Sequence, residues 1–182
     1  MDTTLMEYTA EDLIAHNLQR SGILVAKPRF DQEGADLLAF LQVKDGAKFC
    51  RIQCKGRSLL QSTTAHVEVP KKYVTGGFVL FLFIETGHKE KTLLYCFTAD
   101  SIREKWTSQE DQFSLSISET KLTSSFAEFE FNDDKIVLIR SIIERSDTSE
   151  EFRHIIHGSL NVTLDPVTLK ATGTVGDPPV ES

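Results

Sequence analysis

The sequence predicts an α/β fold: a mixed central β-sheet flanked by helices. Three observations carry that expectation. The order of elements runs helix, strand, hairpin, strand, hairpin, helix. The apolar run Phe78 to Ile84 is too short to cross a bilayer and follows Gly76-Gly77, as a buried strand does. Arg51, Gln53, Lys55 and Arg57 alternate with Cys50, Ile52 and Cys54, which sets a polar face against a core face.

The elements follow in order. Thr4 to Arg20 has a helical period, with Thr4-x-x-Glu7 as a capping box. Ala10, Leu13, Ile14 and Leu18 share one face. Glu11 falls at the margin of that face, where a carboxylate needs a partner, whereas Asp12 points away. Ser21-Gly22 closes the helix, and Ile23 to Ala26 is a short strand before Pro28. A loop through Asp31 and Glu33 leads to Asp36. Asp36 to Val43 and Phe49 to Arg57 are then the strands of a hairpin around Lys44-Asp45-Gly46-Ala47. That pairing brings the start of the first strand beside the end of the second.

Gly56 lets the chain leave the strand, and Ser58 to Ala65 reads as polar loop. His66 to Val69 alternates as a short strand before Pro70, with Lys71, Lys72 and Tyr73 in the turn beyond. Phe78 to Ile84 and Thr92 to Phe97 form a second hairpin. Thr98 to Trp106 is helical, capped by Thr98 or Asp100, and Trp106 is a packing residue. Gln112 to Ser118 is a half-buried strand. Ser125 to Phe131 alternates phenylalanines, and Asn132-Asp133 caps a helix from Asp134 to Arg145 with Ile136, Leu138, Ile139, Ile142 and Ile143 on its apolar side. Ser149 to His157 is a second short helix. The expected organisation is one domain over residues 1–160 and a tail over 161–182. The tail adds a strand near Asn161 to Leu164 and loses order from Gly173 onward.

The composition is that of a globular chain, with 40% hydrophobic and 26% charged residues over 182 positions, enough for one domain with its own core. No stretch is a membrane span, and Met1-Asp2-Thr3-Thr4 lacks the layout of a signal peptide. Three cysteines, none in a CxxC or Cys/His zinc spacing, point to a reducing, cytoplasmic setting. The net charge of −7 argues against a protein held to nucleic acid by bulk charge. From Lys44 to Lys72, however, seven Lys and Arg stand against two acids. The five histidines are dispersed; His154 and His157 lie three apart without a further ligand. There is no GxSxG elbow, P-loop or GxGxxG, so serine hydrolase, nucleotide triphosphatase and dinucleotide readings have no support.

Chemistry gathers at one end of the first hairpin. Asp36 opens one strand, and Gln53 and Lys55 lie near the end of the other. A carboxylate, an amide oxygen and an ammonium there can hold a hard divalent cation and a phosphate, because magnesium prefers oxygen ligands and keeps several waters. Asp36 and Gln53-x-Lys55, with a helical glutamate upstream, resemble the signature of the PD-(D/E)XK, or restriction-endonuclease-like, nuclease superfamily. The likeness spans Glu11 to Arg57. Two positions depart from the pattern: Ala35 stands in place of the proline, which many members also lack, and Gln53 replaces an acid, bringing an oxygen without its charge.

The resemblance implies a restriction-endonuclease-like fold and metal-dependent hydrolysis of nucleic acid, DNA in preference to RNA. It implies Mg2+ or Mn2+ held by Asp36, Gln53 and the Cys54 main-chain carbonyl. Glu11 would bind the metal or orient a water beside it, with Glu7 as fallback. Lys55 would position or deprotonate the nucleophile or stabilise the transition state. Arg57, Lys71 and Lys72 are the candidate phosphate contacts. The implied partners are nucleic acid and either a second copy, supported by the Phe126 to Phe131 segment, or a protein that supplies specificity. Two rival readings stand beside it. One is a nuclease-fold module that binds nucleic acid or protein without cleaving; the other is a structural domain in which Asp36 and Lys55 form a buried ion pair.

Overall fold

A computed structural model describes residues 3–28, 34–44, 46–87, 93–146, 160–164 and 171–175. Helix α1 (Thr3–Arg20) comes first, followed by β1 (Leu24–Ala26), β2 (Leu37–Val43) and β3 (Gly46–Ser58). Then come β4 (Thr64–Pro70), a 3-10 turn at Lys71–Tyr73, β5 (Phe78–Glu85) and β6 (Leu93–Thr98). Next are α2 (Ala99–Lys105), β7 (Thr107–Ser108), β8 (Gln112–Ser118), α3 (Glu119–Ser124) and a 3-10 turn at Ala127–Phe129. The series ends with α4 (Asp133–Arg145), β9 (Leu160–Leu164) and β10 (Ala171–Val175). Among the described residues, no helix is long and apolar enough to cross a membrane.

The main sheet has the order β1-β2-β3-β5-β6. It is mixed: β3 and β5 run parallel, and the other neighbours are antiparallel. The α/β expectation of a mixed sheet with helices therefore holds. A second, antiparallel sheet has the order β4-β8-β7, and β9 pairs with β10.

Each face of the main sheet has its own core, set by side-chain alternation. On one face Leu37, Ala39, Leu41, Cys50, Ile52, Cys54, Val79, Phe81 and Cys96 meet Met6, Ala10, Ile14 and Leu18 of α1 and Ile139, Ile142 and Ile143 of α4. On the other, Phe78, Leu80, Leu82, Ile84, Tyr95 and Phe97 meet Val67, Val69, Leu115, Ile117, Ile102, Trp106, Phe126 and Phe129. Strand β5 is buried on both faces, which is why its sequence is apolar without interruption.

Several sequence expectations shift. Helix α1 starts at Thr3, so Thr4 lies inside the first turn instead of capping it. Its stop is a Schellman motif: Gly22, at φ 75°, donates to Gln19 and Ile23 donates to Leu18. Met6, not Leu13, completes the buried stripe, and Leu13 is 38% exposed. The hairpin turn is tighter than expected, since Val43 already pairs with Gly46. The polar loop after Ser58 is shorter, because β4 begins at Thr64. Ser125 to Phe131 is no strand: Phe126 and Phe129 are drawn into the core beside Phe97 around a 3-10 turn. Buried there, neither ring is available to a second copy. Helix α3 had no sequence signal, since its six residues bury Leu122 and no other side chain. In the tail β10 runs through Gly173 to Val175, where order was expected to end. The helix expected over Ser149 to His157, His154 among its residues, and the end of the tail lie outside the described residues.

Candidate functional site

Strand β3 outruns β2. Leu37 pairs with Ile52, and β3 continues to Ser58 alongside β5 alone. In a strand, N–H and C=O groups point alternately to the two neighbours. Arg51 donates to Gly77 on the β5 side, so Cys54 and Gly56 direct their backbone groups to the side that β2 has vacated. Those N–H groups need acceptors. Two carboxylates provide them. Asp36 Oδ2 accepts from Cys54 N at 2.6 Å, and Glu7 Oε1 accepts from Gly56 N at 3.3 Å.

Local sequence sets both positions. Asp36 is held one residue before β2 by donating to Ile52 O at 2.9 Å. The chain reaches it through Gly34, at φ 64°, where a Cβ would lie 2.5 Å from the Tyr73 ring. Only glycine meets both demands. Glu7 reaches the edge because α1 crosses β3 closely. A Cβ on Gly56 would lie 2.9 Å from Met6 Cβ and 3.3 Å from Glu7 Cγ. Gly56 thus sits inside the strand and permits helix contact, rather than releasing the chain as its sequence position suggested.

The polar face of β3 is largely enclosed. Register places Gln53 across from Asp36, one step beyond the Leu37–Ile52 pair. Gln53 is 6% exposed, and its Oε1 is buried without a hydrogen-bond partner among the described residues. Such an orphaned acceptor is costly unless something positive meets it. Arg51 donates to Tyr73 O and Thr75 Oγ1, tying β3 to the turn before β5. Lys55 follows Gln53 on the same face, half-buried, with no ion pair to a described residue.

Glu11 is 7% exposed and ion-paired with Lys27, whose ammonium also lies 4.6 Å from the Tyr8 ring. The carboxylate raises the lysine pKa above its ordinary 10.5. The Cys54 thiol lies within the field of all these groups. Burial, and then the charges of Asp36, Glu11 and Glu7, push it well above 9.0. It is neutral and packed in the core.

The expected phosphate contacts divide. Arg57 is engaged within the protein: Nε donates to His66 O at 2.7 Å, Nη1 to Gly56 O at 2.6 Å, and Nη1 lies 3.9 Å from Glu7. Lys71 lies over Phe113 and the exposed Lys72 over Tyr73, the ring that underlies Gly34. The fold therefore brings Asp36, Glu7 and Glu11 around Cys54, with Gln53 across from Asp36 in register and Lys55 two residues further along β3. Lys27 was missed. The buried margin of Glu11 demanded a partner, but only the crossing of α1 with the end of β1 identifies it.

The donor set fits a hard divalent cation. Asp36 and the Cys54 carbonyl are oxygens at one strand edge, and Gln53, across from Asp36 in register, adds a buried Oε1 without a hydrogen-bond partner among the described residues. Among the described residues, no three His, Cys, Asp or Glu side chains gather as a metal cluster, so water would complete the coordination of any ion here.

No protein-family model matches the chain, and no curated protein sequence does. Among solved structures it is similar to a bacterial homing endonuclease, with a TM-score of 0.52 and 14% identity over 81% of this chain and 100% of that one. It also matches a Holliday junction resolvase of the archaeal hyperthermophile Archaeoglobus fulgidus, with a TM-score of 0.38 and 11% identity over 66% of this chain and 97% of that one. The likeness to the homing endonuclease concerns the fold: the mixed sheet with its flanking helices is restriction-endonuclease-like.

Proposed function

We propose that this chain is a metal-dependent nuclease that hydrolyses phosphodiester bonds in nucleic acid, DNA in preference to RNA. One observation supports the reading: where β2 ends, Asp36 and Glu7 take the exposed N–H groups of β3, and Gln53, across from Asp36, keeps a buried oxygen without a partner among the described residues, with Lys55 two residues on. An edge that needed only hydrogen-bond acceptors would not require a buried amide oxygen and a lysine that have no partner among the described residues.

In this reading Asp36, Gln53 Oε1 and the Cys54 carbonyl would hold Mg2+ or Mn2+, which would supply charge neutralisation at the phosphate and a more acidic water. Lys55 either supplies, as the ammonium, a positive charge where negative charge grows on the phosphate oxygens, or, as the neutral amine, accepts a proton from the attacking water. Glu7, fixed by Gly56 N–H, orients that water. Lys72 and Lys71 contact the substrate backbone as it passes over the turn at Tyr73. Arg57 acts from within, holding the end of β3 against β4 and Glu7. The setting is cytoplasmic, and strand-cutting specificity comes from a second copy or a partner protein.

A second reading has its own observation. Gln53 is neutral, so the metal site has one carboxylate where the superfamily pattern has two. A chain that kept this fold and lost turnover would bind nucleic acid without cutting it. Supercoiled, linear and single-stranded DNA, and RNA, incubated with Mg2+, Mn2+ or EDTA, separate the two. Metal-dependent cleavage that disappears in Asp36→Asn and Lys55→Ala establishes the nuclease. Cleavage that persists in both sinks it, and binding without cleavage or metal uptake supports the module.

A further inference from the structure

We propose that Lys27 is a built-in counter-cation that withholds Glu11 from divalent metal, so that the edge of β3 takes one metal ion rather than two. The inference rests on the metal-site reading above and concerns which carboxylates that site can use. Three carboxylates, Asp36, Glu11 and Glu7, lie within the electrostatic field of Cys54 on β3, although they do not gather as a metal cluster among the described residues. Asp36 accepts from Cys54 N and Glu7 from Gly56 N. Glu11 follows Glu7 by four residues, one helical turn along the same flank of α1. Carboxylates gathered in a partly buried place repel one another, and the site is stable only with positive charge among them.

Asp36 and Glu7 obtain part of that charge from backbone N–H groups. Glu11 obtains it from Lys27, which meets its Oε2 directly. That ammonium is held on two sides, because the Tyr8 ring lies 4.6 Å from Nζ. It is also fixed from behind: Lys27 directly follows β1, whose Ala26 pairs with Leu38 of β2. An ammonium on a carboxylate oxygen takes the place a divalent ion would use there. It also repels an ion approaching Glu11. The pair is preorganised, so a metal must break an ion pair to recruit Glu11.

Mn2+ binding to the full chain, followed by calorimetry and by loss of the free-ion electron paramagnetic signal, tests this without reference to cleavage. The wild type is expected to bind one ion, and Asp36→Asn none. Glu11→Gln leaves the affinity within about twofold, because the two sites are not coupled through metal. Lys27→Met gains a second ion or binds about tenfold more tightly, as removal of a nearby like charge allows. Lys27→Arg behaves as wild type, and adding Glu11→Gln to Lys27→Met abolishes the gain. Lys27→Met binding with wild-type affinity and stoichiometry overturns the inference, as does a Glu11→Gln loss as large as that of Asp36→Asn. The Lys27 side chain is 55% exposed, so its loss is tolerated by the fold; should that variant fail to fold, the Glu11→Gln result decides. If neither the wild type nor Lys27→Met binds Mn2+, the metal-site reading falls as well, which separates the two failures.

Discussion

Asp36 joins structure to chemistry within one side chain. Its carboxylate replaces the β2 backbone as acceptor for Cys54 N–H. Asp36→Ala leaves that N–H without its acceptor and costs about 1–3 kcal/mol of stability. Asp36→Asn keeps an oxygen there and removes the charge, so it should fold as wild type in thermal unfolding yet lose metal binding. Lys55→Ala touches no ion pair among the described residues and should leave the melting temperature in place. Its cost falls on turnover: about 10²–10³ in kcat, or roughly 2.7–4 kcal/mol, by comparison with loss of one electrostatic donor. Single-turnover cleavage measures it, and a variant that cuts at the wild-type rate removes Lys55 from the mechanism.

At the scale of elements, the site exists because two backbones come close. Gly56 has no Cβ to strike Met6 and Glu7, and so α1 can rest on β3. Gly56→Ala should destabilise the fold by about 1–3 kcal/mol through overpacking. It should also push Glu7 off the strand edge, so cleavage falls by more than the stability loss explains. Denaturant unfolding and kcat measured on the same variant separate these effects. The helix caps were legible in sequence, since Thr98 accepts from Ser101 N and Asn132 from Lys135 N as their residue types suggest. Strand β4 was legible as an alternating segment. Its membership of a second sheet was not, because pairing with β8 is a contact over some fifty residues that no local pattern encodes.

For the whole molecule, two cores share one sheet. Phe81 anchors the face under α1 and α4, and Phe97 anchors the face under the second sheet. Each truncation to alanine should cost about 3–5 kcal/mol. If the sheet couples the cores, both variants unfold in a single transition that secondary structure and the one tryptophan, Trp106, report together. Alkaline stability follows from the buried groups. Burial pushes the Cys96 thiol up to about 12, Cys54 lies well above 9.0, and burial and Glu130 raise Tyr95 above 10.0. A folded state that holds these protons more tightly than the unfolded chain binds more of them above pH 9, so ΔG of unfolding falls as pH rises. The stability these groups contribute is fully present below about pH 9 and is lost progressively toward pH 12. Denaturant midpoints across that range test it. At pH 8 all three cysteines should resist a thiol reagent until the protein unfolds.

The sequence by itself determined the hairpin, the alternation of β3, the double burial of β5 and the placing of Asp36 across from Gln53. Each is local or one turn away, and side-chain period with turn chemistry suffices to state it. Tertiary structure alone decided how far β3 runs beyond β2, and hence which N–H groups need carboxylates. It decided that Glu7 reaches that edge while Glu11 is claimed by Lys27, that Arg57 is spent inside the protein, and that the phenylalanines near 126 turn inward. Those outcomes depend on where α1 and β4 cross β3. A crossing is fixed by packing between residues distant in sequence, and so no window along the chain contains it.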